Sequence, residues 1–139
     1  MSLKSLFAGG LLALTMFLGC GETDALNRQR VTGEIKLNGT PIANGSIEFA
    51  PVGEGTSGGA AIENGKFEIV AERGLPPGEY IVRINAASES VDAGEMPGDS
   101  SILAEELVPP EYNTDSKLKF TVKPEGENVF NQSIETAAK

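Results

Sequence analysis

The sequence predicts an all-β fold in a single domain, and three observations carry that expectation. Apolar and polar residues alternate with period two in several short runs, the pattern of half-buried strands. Asn-Gly dipeptides at Asn38-Gly39, Asn44-Gly45 and Asn64-Gly65 accompany those runs and suit turns that need positive φ at both central residues. The 17 Gly and 8 Pro among 139 residues are many for a helical protein and usual for short strands joined by tight turns.

Val31 to Leu37 sets Val31, Gly33, Ile35 and Leu37 against Thr32, Glu34 and Lys36, which predicts a strand closed by a turn at Asn38-Gly39. Ile42, a turn at Asn44-Gly45, and Ile47 and Phe49 alternating with Ser46 and Glu48 predict a second strand ending at Pro51. Gly53 to Gly59 reads as a loop. Ala60 to Ile62 and Lys66 to Val70 flank Asn64-Gly65, the strongest hairpin signal in the chain. Gly74 to Gly78 is a turn, after which Tyr80, Val82, Ile84 and Ala86 alternate with Ile81, Arg83 and Asn85. Lys117 to Val122 and Val129 to Ile134 form the last pair, joined through Pro124-Glu125-Gly126. Seven short strands with turn signals roughly every 8–12 residues predict a β-sandwich.

Residues 87–116 break the rhythm and predict one long loop. Its first part, Ser88 to Ser101, is acidic and carries Gly and Ser. Ile102 to Leu107 is expected to form one helical turn, with Ser100 or Ser101 as N-cap and Pro109-Pro110 as its stop. Leu103, Leu107 and Tyr112 are expected to cover an end or edge of the sheets.

The amino-terminal end reads as an address. Lys4 supplies a short positive region, and Leu6 to Leu18 is a 13-residue run, apolar except for Thr15. A spanning helix needs about 20 apolar residues, so this run suits a signal-peptide core better than an anchor. Gly19 and then Cys20, the single thiol of the chain, close it. Phe17-Leu18-Gly19-Cys20 resembles the lipobox of bacterial lipoproteins, with Phe17 where that family usually carries Leu. The resemblance implies cleavage before Cys20, a diacylglyceryl group on its sulfur and an acylated new amino terminus. It makes Cys20 the lipidation site and the lipid bilayer a partner. Gly21 after the anchor resembles a signal for the outer membrane. The expected organisation is a signal peptide over 1–19, a lipidated polar tether over 20–30, the β-domain over 31–135 and a tail over 136–139. An acidic body is expected to be repelled from an anionic membrane surface and to stand off it.

VTGEIKLNGTPIANGSIEFAP, NGKFEI, LPPGEYIVRI, LVPPEYN and KLKFTVKPEGENVFNQSI together resemble the carboxypeptidase regulatory-like, transthyretin-like domains of small bacterial lipoproteins. The similarity spans about Val31 to Ile134, and its clearest marks are the cadence Gly78 to Ile84 and the turn Asn38 to Ile42. It implies a seven-stranded, Greek-key, prealbumin-like β-sandwich. Gln132 stands where such domains often place an apolar residue, which puts the register of the last strand in question.

Composition narrows the function classes. With 11 Lys+Arg against 20 Asp+Glu the net charge is −9, which argues against a nucleic-acid partner. Transthyretin-like domains include hydrolases of a purine-degradation intermediate that depend on histidines, and this chain has 0 His. Ser/His/Asp and Cys/His devices fail for the same reason, so no catalytic residue is assigned, no cofactor is expected and the reading is non-enzymatic. Asp92, Glu95 and Asp99, with Glu89, Glu105 and Glu106, are weak calcium candidates, since their spacing fits no known calcium loop and a solvated acidic loop explains them as well. A Lys36–Asn131 isopeptide bond is disfavoured because Lys36 alternates with the apolar set and should face water. Binding through exposed loops is the favoured class, with Tyr112, Glu105 and Glu106 as the candidate interaction surface and an envelope protein or polysaccharide as partner. A spacer without a specific ligand and a calcium or carbohydrate binder are the alternatives; the absence of Trp weakens the sugar reading.

Overall fold

The computed structural model describes residues 24–88 and 105–137. They form nine strands: β1 (Val31–Leu37), β2 (Thr40–Pro41), β3 (Asn44–Pro51), β4 (Gly58–Glu63), β5 (Lys66–Ile69), β6 (Gly78–Asn85), β7 (Leu118–Val122), β8 (Asn128–Val129) and β9 (Gln132–Ile134). Short 3₁₀ turns at Ala71–Arg73 and Pro110–Tyr112 are the only helical pieces among the described residues. The fold is all-β, a largely antiparallel sheet that curls on itself.

The strands pair in the order β2-β1-β5-β4-β3-β6-β7, and β8 and β9 add to β1 in parallel. The sheet bends at the β4–β5 hairpin, where a single register pair, Glu63 with Lys66, joins the two halves. Asn64 and Gly65 make that turn at φ 50° and 80°, and Asn38 and Gly39 make the first one at 51° and 81°. Both are the double positive-φ turns that Asn-Gly favours.

Curling brings Phe49 of β3 against Phe67 of β5, Phe120 of β7 and Phe130, with ring centroids 5.9, 5.9 and 6.0 Å away. Phe120 and Phe130 meet edge-on at 5.4 Å. Around these rings Val31, Ile35, Ile47, Ile62, Val82, Ile84, Val122 and Ile134 are buried, so the inward set of every long strand feeds one core.

Several expectations need correction. Asn44-Gly45 is not a turn: both residues lie in β3, paired with Glu63 and Ile62. Gly45 is needed there because a Cβ would stand 2.5 Å from the Asn85 carbonyl oxygen. The strand ending at Pro51 therefore begins already at Asn44, and a separate short strand, Thr40–Pro41, pairs back on β1. The last strand is also two pieces, separated by Phe130 and Asn131. Its register nevertheless holds, since Val31 faces Asn128 and Ile35 faces Gln132, one offset throughout. In the gap the Phe130 N–H donates to the Thr32 carbonyl (2.8 Å) and the Glu34 N–H to the Asn131 side-chain oxygen (2.9 Å).

The helical turn expected over 102–107 is overturned where it can be seen. Glu106 bridges Ala87 antiparallel, the Leu107 N–H donates to Ala86 (2.7 Å) and the Ser88 N–H to Glu105 (2.8 Å). An extended segment satisfies these backbone groups across the gap; a helical turn would have left the end of β6 bare. The turn forms instead at Pro110–Tyr112, with proline preset for its first position. Leu107 does not cover the sheet, being 42% exposed, whereas Val108 is buried at 2%. Leu103 lies outside the described residues. Tyr112 does pack, half-buried, against the core.

The polar segment before β1 is folded back rather than loose from Asp24 onward. Asp24 accepts from the N–H groups of Arg28 (2.8 Å) and Leu26 (3.1 Å), and Gln29 exchanges two backbone hydrogen bonds with Leu75. The tail is tied as well: Asn38 bonds Thr136 through both its amide nitrogen (2.8 Å) and its oxygen (2.9 Å).

Gly33 is where the sequence tolerates least. A Cβ there would lie 1.7 Å from the Phe130 carbonyl oxygen and 2.7 Å from the Phe67 ring, so β1, β5 and the carboxy-terminal strand would all have to part. Gly39 has open space around it and only its φ of 81° to lose. Urea unfolding should show Gly33→Ala losing about 3 kcal/mol or more and Gly39→Ala about 1 kcal/mol; equal losses would show that the close approach does not exist.

Candidate functional site

The strand directions give the molecule two poles. At one, β1 begins, and the segments 24–30, 52–57, 70–77 and 123–127 gather around it. They are held by the Gln29–Leu75 bridge and by the Val52 N–H donating to Glu79 (3.0 Å). The Asn-Gly turns, the end of β6 and the segments 85–88 and 105–109 gather at the other. Gly53 to Gly59 and Leu75 to Gly78 therefore belong to the first pole, and residues 87–88 and 105–109 to the second, so these exposed loops do not form one surface.

At the second pole an apolar cleft of about 260 Å³ opens between the β1–β2 hairpin and the end of β6. Leu37, Pro41, Ile42, Ala86 and Leu107 form its walls. A wider groove of about 610 Å³ adjoins it, lined by Asn44, Ser46, Asn85, Ser88 and Glu106. The two share Asn44, Ala86 and Ala87, so an apolar slot runs into a polar shelf. Such a surface can hold a short aliphatic side chain while main-chain or hydroxyl groups bond along the shelf. No local pattern marks this slot, because its walls come from four separate segments whose apolar members sit in or beside turns.

The candidate interaction residues separate by role. The carboxylate of Glu106 accepts from the N–H groups of Ala86 (2.9 Å) and Val108 (3.0 Å), which ties the returning chain to β6. Glu105 is exposed, and its N–H takes the Ser88 hydroxyl as acceptor at 3.0 Å. Tyr112 leans on the core, beside the buried Asn113, which donates to the Val108 carbonyl (3.1 Å). Asp92, Glu95, Asp99 and Cys20 lie outside the described residues. Among the described residues no three Asp, Glu, Cys or His side chains stand together as metal ligands would, and no helix is long and apolar enough to cross a membrane. Lys36 pairs with Glu34 at 3.6 Å and Asn131 is exposed, so that pair lacks the buried setting an isopeptide bond needs.

Between the poles a wider opening of about 700 Å³ lies where β4 and β5 part, lined by Thr32, Glu34, Ala61 and Lys66. At the first pole Tyr80 is 4% exposed, and its hydroxyl donates to the Pro76 carbonyl at 2.8 Å, holding the Leu75–Gly78 turn onto β6. Burial raises its pKa above the ordinary 10.0. The Arg28 and then the Leu26 N–H lower the pKa of Asp24 below its usual 3.8. Glu68, bonded at 2.7 Å, raises that of Arg30.

No protein-family model matches the sequence, and no curated protein is similar enough to be matched with it.

Three outcomes follow from this geometry. Glu106→Ala should cost about 1–3 kcal/mol in urea unfolding by stripping two backbone donors of their acceptor, while Glu105→Ala stays within about 0.5 kcal/mol. Because the folded-state pKa of Tyr80 is raised, its contribution is complete below pH 10.0 and falls as the pH climbs toward the folded value. Alkaline denaturation should therefore flatten in Tyr80→Phe, which also loses about 1 kcal/mol at neutral pH. Asp24 works in the opposite sense: the protection of the Leu26 and Arg28 amides against exchange, relative to the unstructured rate at the same pH, should fall as the pH drops below 3.8 toward the lowered folded-state value.

Proposed function

We propose that this chain is a non-enzymatic lipoprotein of the bacterial cell envelope, held at the outer membrane by acylated Cys20. Its β-domain would bind a protein or other envelope component at the pole far from the anchor. The observation that carries the reading is the placement of the only thiol directly after Gly19 and a 13-residue apolar run. Several acyl chains on one residue suffice for lasting attachment where one is marginal.

The prealbumin-like, Greek-key description belongs to the same proposal. It is supported by the order of pairing, in which β3, β4 and β5 follow one another and β1 returns beside β5. It is supported too by the parallel seating of β8 and β9 on β1. The binding role is favoured over a spacer by the slot at Leu37, Pro41, Ile42 and Leu107, since a pure spacer has no use for an open apolar cleft.

Intact mass of the native protein tests the anchor. The expected species lacks residues 1–19 and carries diacylglycerol and a further acyl group on Cys20, and Cys20→Ser should abolish both changes and leave the membrane fraction. An uncut, unmodified mass would sink the reading. Cross-linking in native membranes tests the binding role: one reproducible stoichiometric partner, lost on Leu107→Asp, is expected, and its absence would sink recognition of a protein at this slot.

A further inference from the structure

Five large apolar side chains stand well exposed among the described residues, and four of them, Leu26, Val52, Val70 and Val129, sit at the pole where the amino-terminal segment leaves the domain. They are 43–52% exposed and come from four separate segments: the fold-back before β1, the loop after β3, the residue following β5, and β8. Leu107 is alone at the opposite pole. Scattered exposed apolar residues need no explanation; a set gathered around one point of chain exit does.

Charge follows the same division. The segments of this pole carry Arg28, Arg30, Arg73 and Lys123. Against them stand Asp24, Glu54, Glu72, Glu125 and Glu127. With Glu68, which holds Arg30 at 2.7 Å, these make four basic and six acidic groups, a small excess in a chain whose net charge is −9. Most of the acidic excess lies elsewhere, so this end meets an anionic surface with little repulsion.

Reach settles which surface it meets. The domain is folded from Asp24, four residues after Cys20. Even fully extended, that length spans only about 14 Å. A body this closely leashed cannot turn its far pole to the bilayer or stand far from it, whatever its overall charge.

We propose that this pole is a lipid-contacting face. In the anchored protein Leu26, Val52, Val70 and Val129 rest among the phospholipid headgroups that surround the acylated Cys20, and the slot at Leu107 points away from the membrane. The proposal rests on the lipid-anchor reading and adds an orientation to it. Apolar side chains at the headgroup boundary with neighbouring Arg and Lys are the usual chemistry of such a contact.

Single-cysteine labelling tests it. Val52→Cys, Val129→Cys and Leu107→Cys replace exposed side chains, and acylation of Cys20 leaves each variant one free thiol for a fluorescent maleimide. The lipidated proteins are placed in phosphatidylethanolamine–phosphatidylglycerol vesicles containing nitroxide-labelled headgroups. Loss of most emission at positions 52 and 129, with little loss at 107, is the expected result. Equal quenching at all three positions, or none at 52 and 129 in protein that floats with the vesicles, overturns the proposal. So does cross-linking of positions 52 and 129 between two copies in place of quenching. Maleimide labelling of the unsubstituted chain without flotation refutes the anchor itself, and the orientation with it.

Discussion

The ring of Phe49 is the joint on which the fold depends. It stands on β3, in the middle of one half of the sheet, yet it touches Phe67 and Phe130 from the other half and Phe120 from the far strand β7. A flat sheet would hold these four rings apart. The main-chain link between the halves is slight, one register pair at Glu63 and Lys66, so side-chain burial keeps the curl closed. Tilted and edge-on aromatic contacts add about 0.5–1.5 kcal/mol per pair to the burial itself. Phe49 is fully enclosed by them.

Closing the curl constrains the ends of the chain. With β5 on one side and β8 and β9 on the other, β1 is an inner strand over nearly its whole length. Gly33 permits this because no side chain occupies the gap against the Phe130 carbonyl. Parallel pairing of first and last strands then sends the two termini to opposite poles: the chain enters β1 at one, and β9 delivers Thr136 to the Asn38 turn at the other. The asymmetry of the molecule follows from that arrangement. The amino-terminal segment joins one pole, and the apolar slot lies at the other.

Short polar side chains do the work that longer secondary structure would otherwise do. Asn128 is buried and bonds both the N–H (2.8 Å) and the carbonyl (3.2 Å) of Lys123, bracing the loop between β7 and β8. Glu106 and Asn113 brace the return into the 3₁₀ turn in the same way. Among the described residues no buried side-chain nitrogen or oxygen is left without a partner. The exposed ion pairs, such as Lys119–Glu79 at 3.1 Å and Arg83–Glu48 at 3.5 Å, are solvent-screened and contribute little beside these.

What the sequence by itself determined was local: the period-two faces of β1, β3, β5 and β6, the two Asn-Gly turns at Asn38 and Asn64, and the inward ring of Tyr80. Each depends on neighbours within a few positions, where alternation and positive-φ preference act directly. Tertiary structure decided the rest. Gly45 and Gly33 read as a turn residue and an ordinary strand residue, yet both are glycine because a distant carbonyl lies against them. Glu105 to Leu107 reads as helical, yet it is extended because the end of β6 offers backbone partners. The Leu107 slot and the cluster of Leu26, Val52, Val70 and Val129 join residues far apart in the chain, and their meeting depends on how the sheet curls, which no local spacing records.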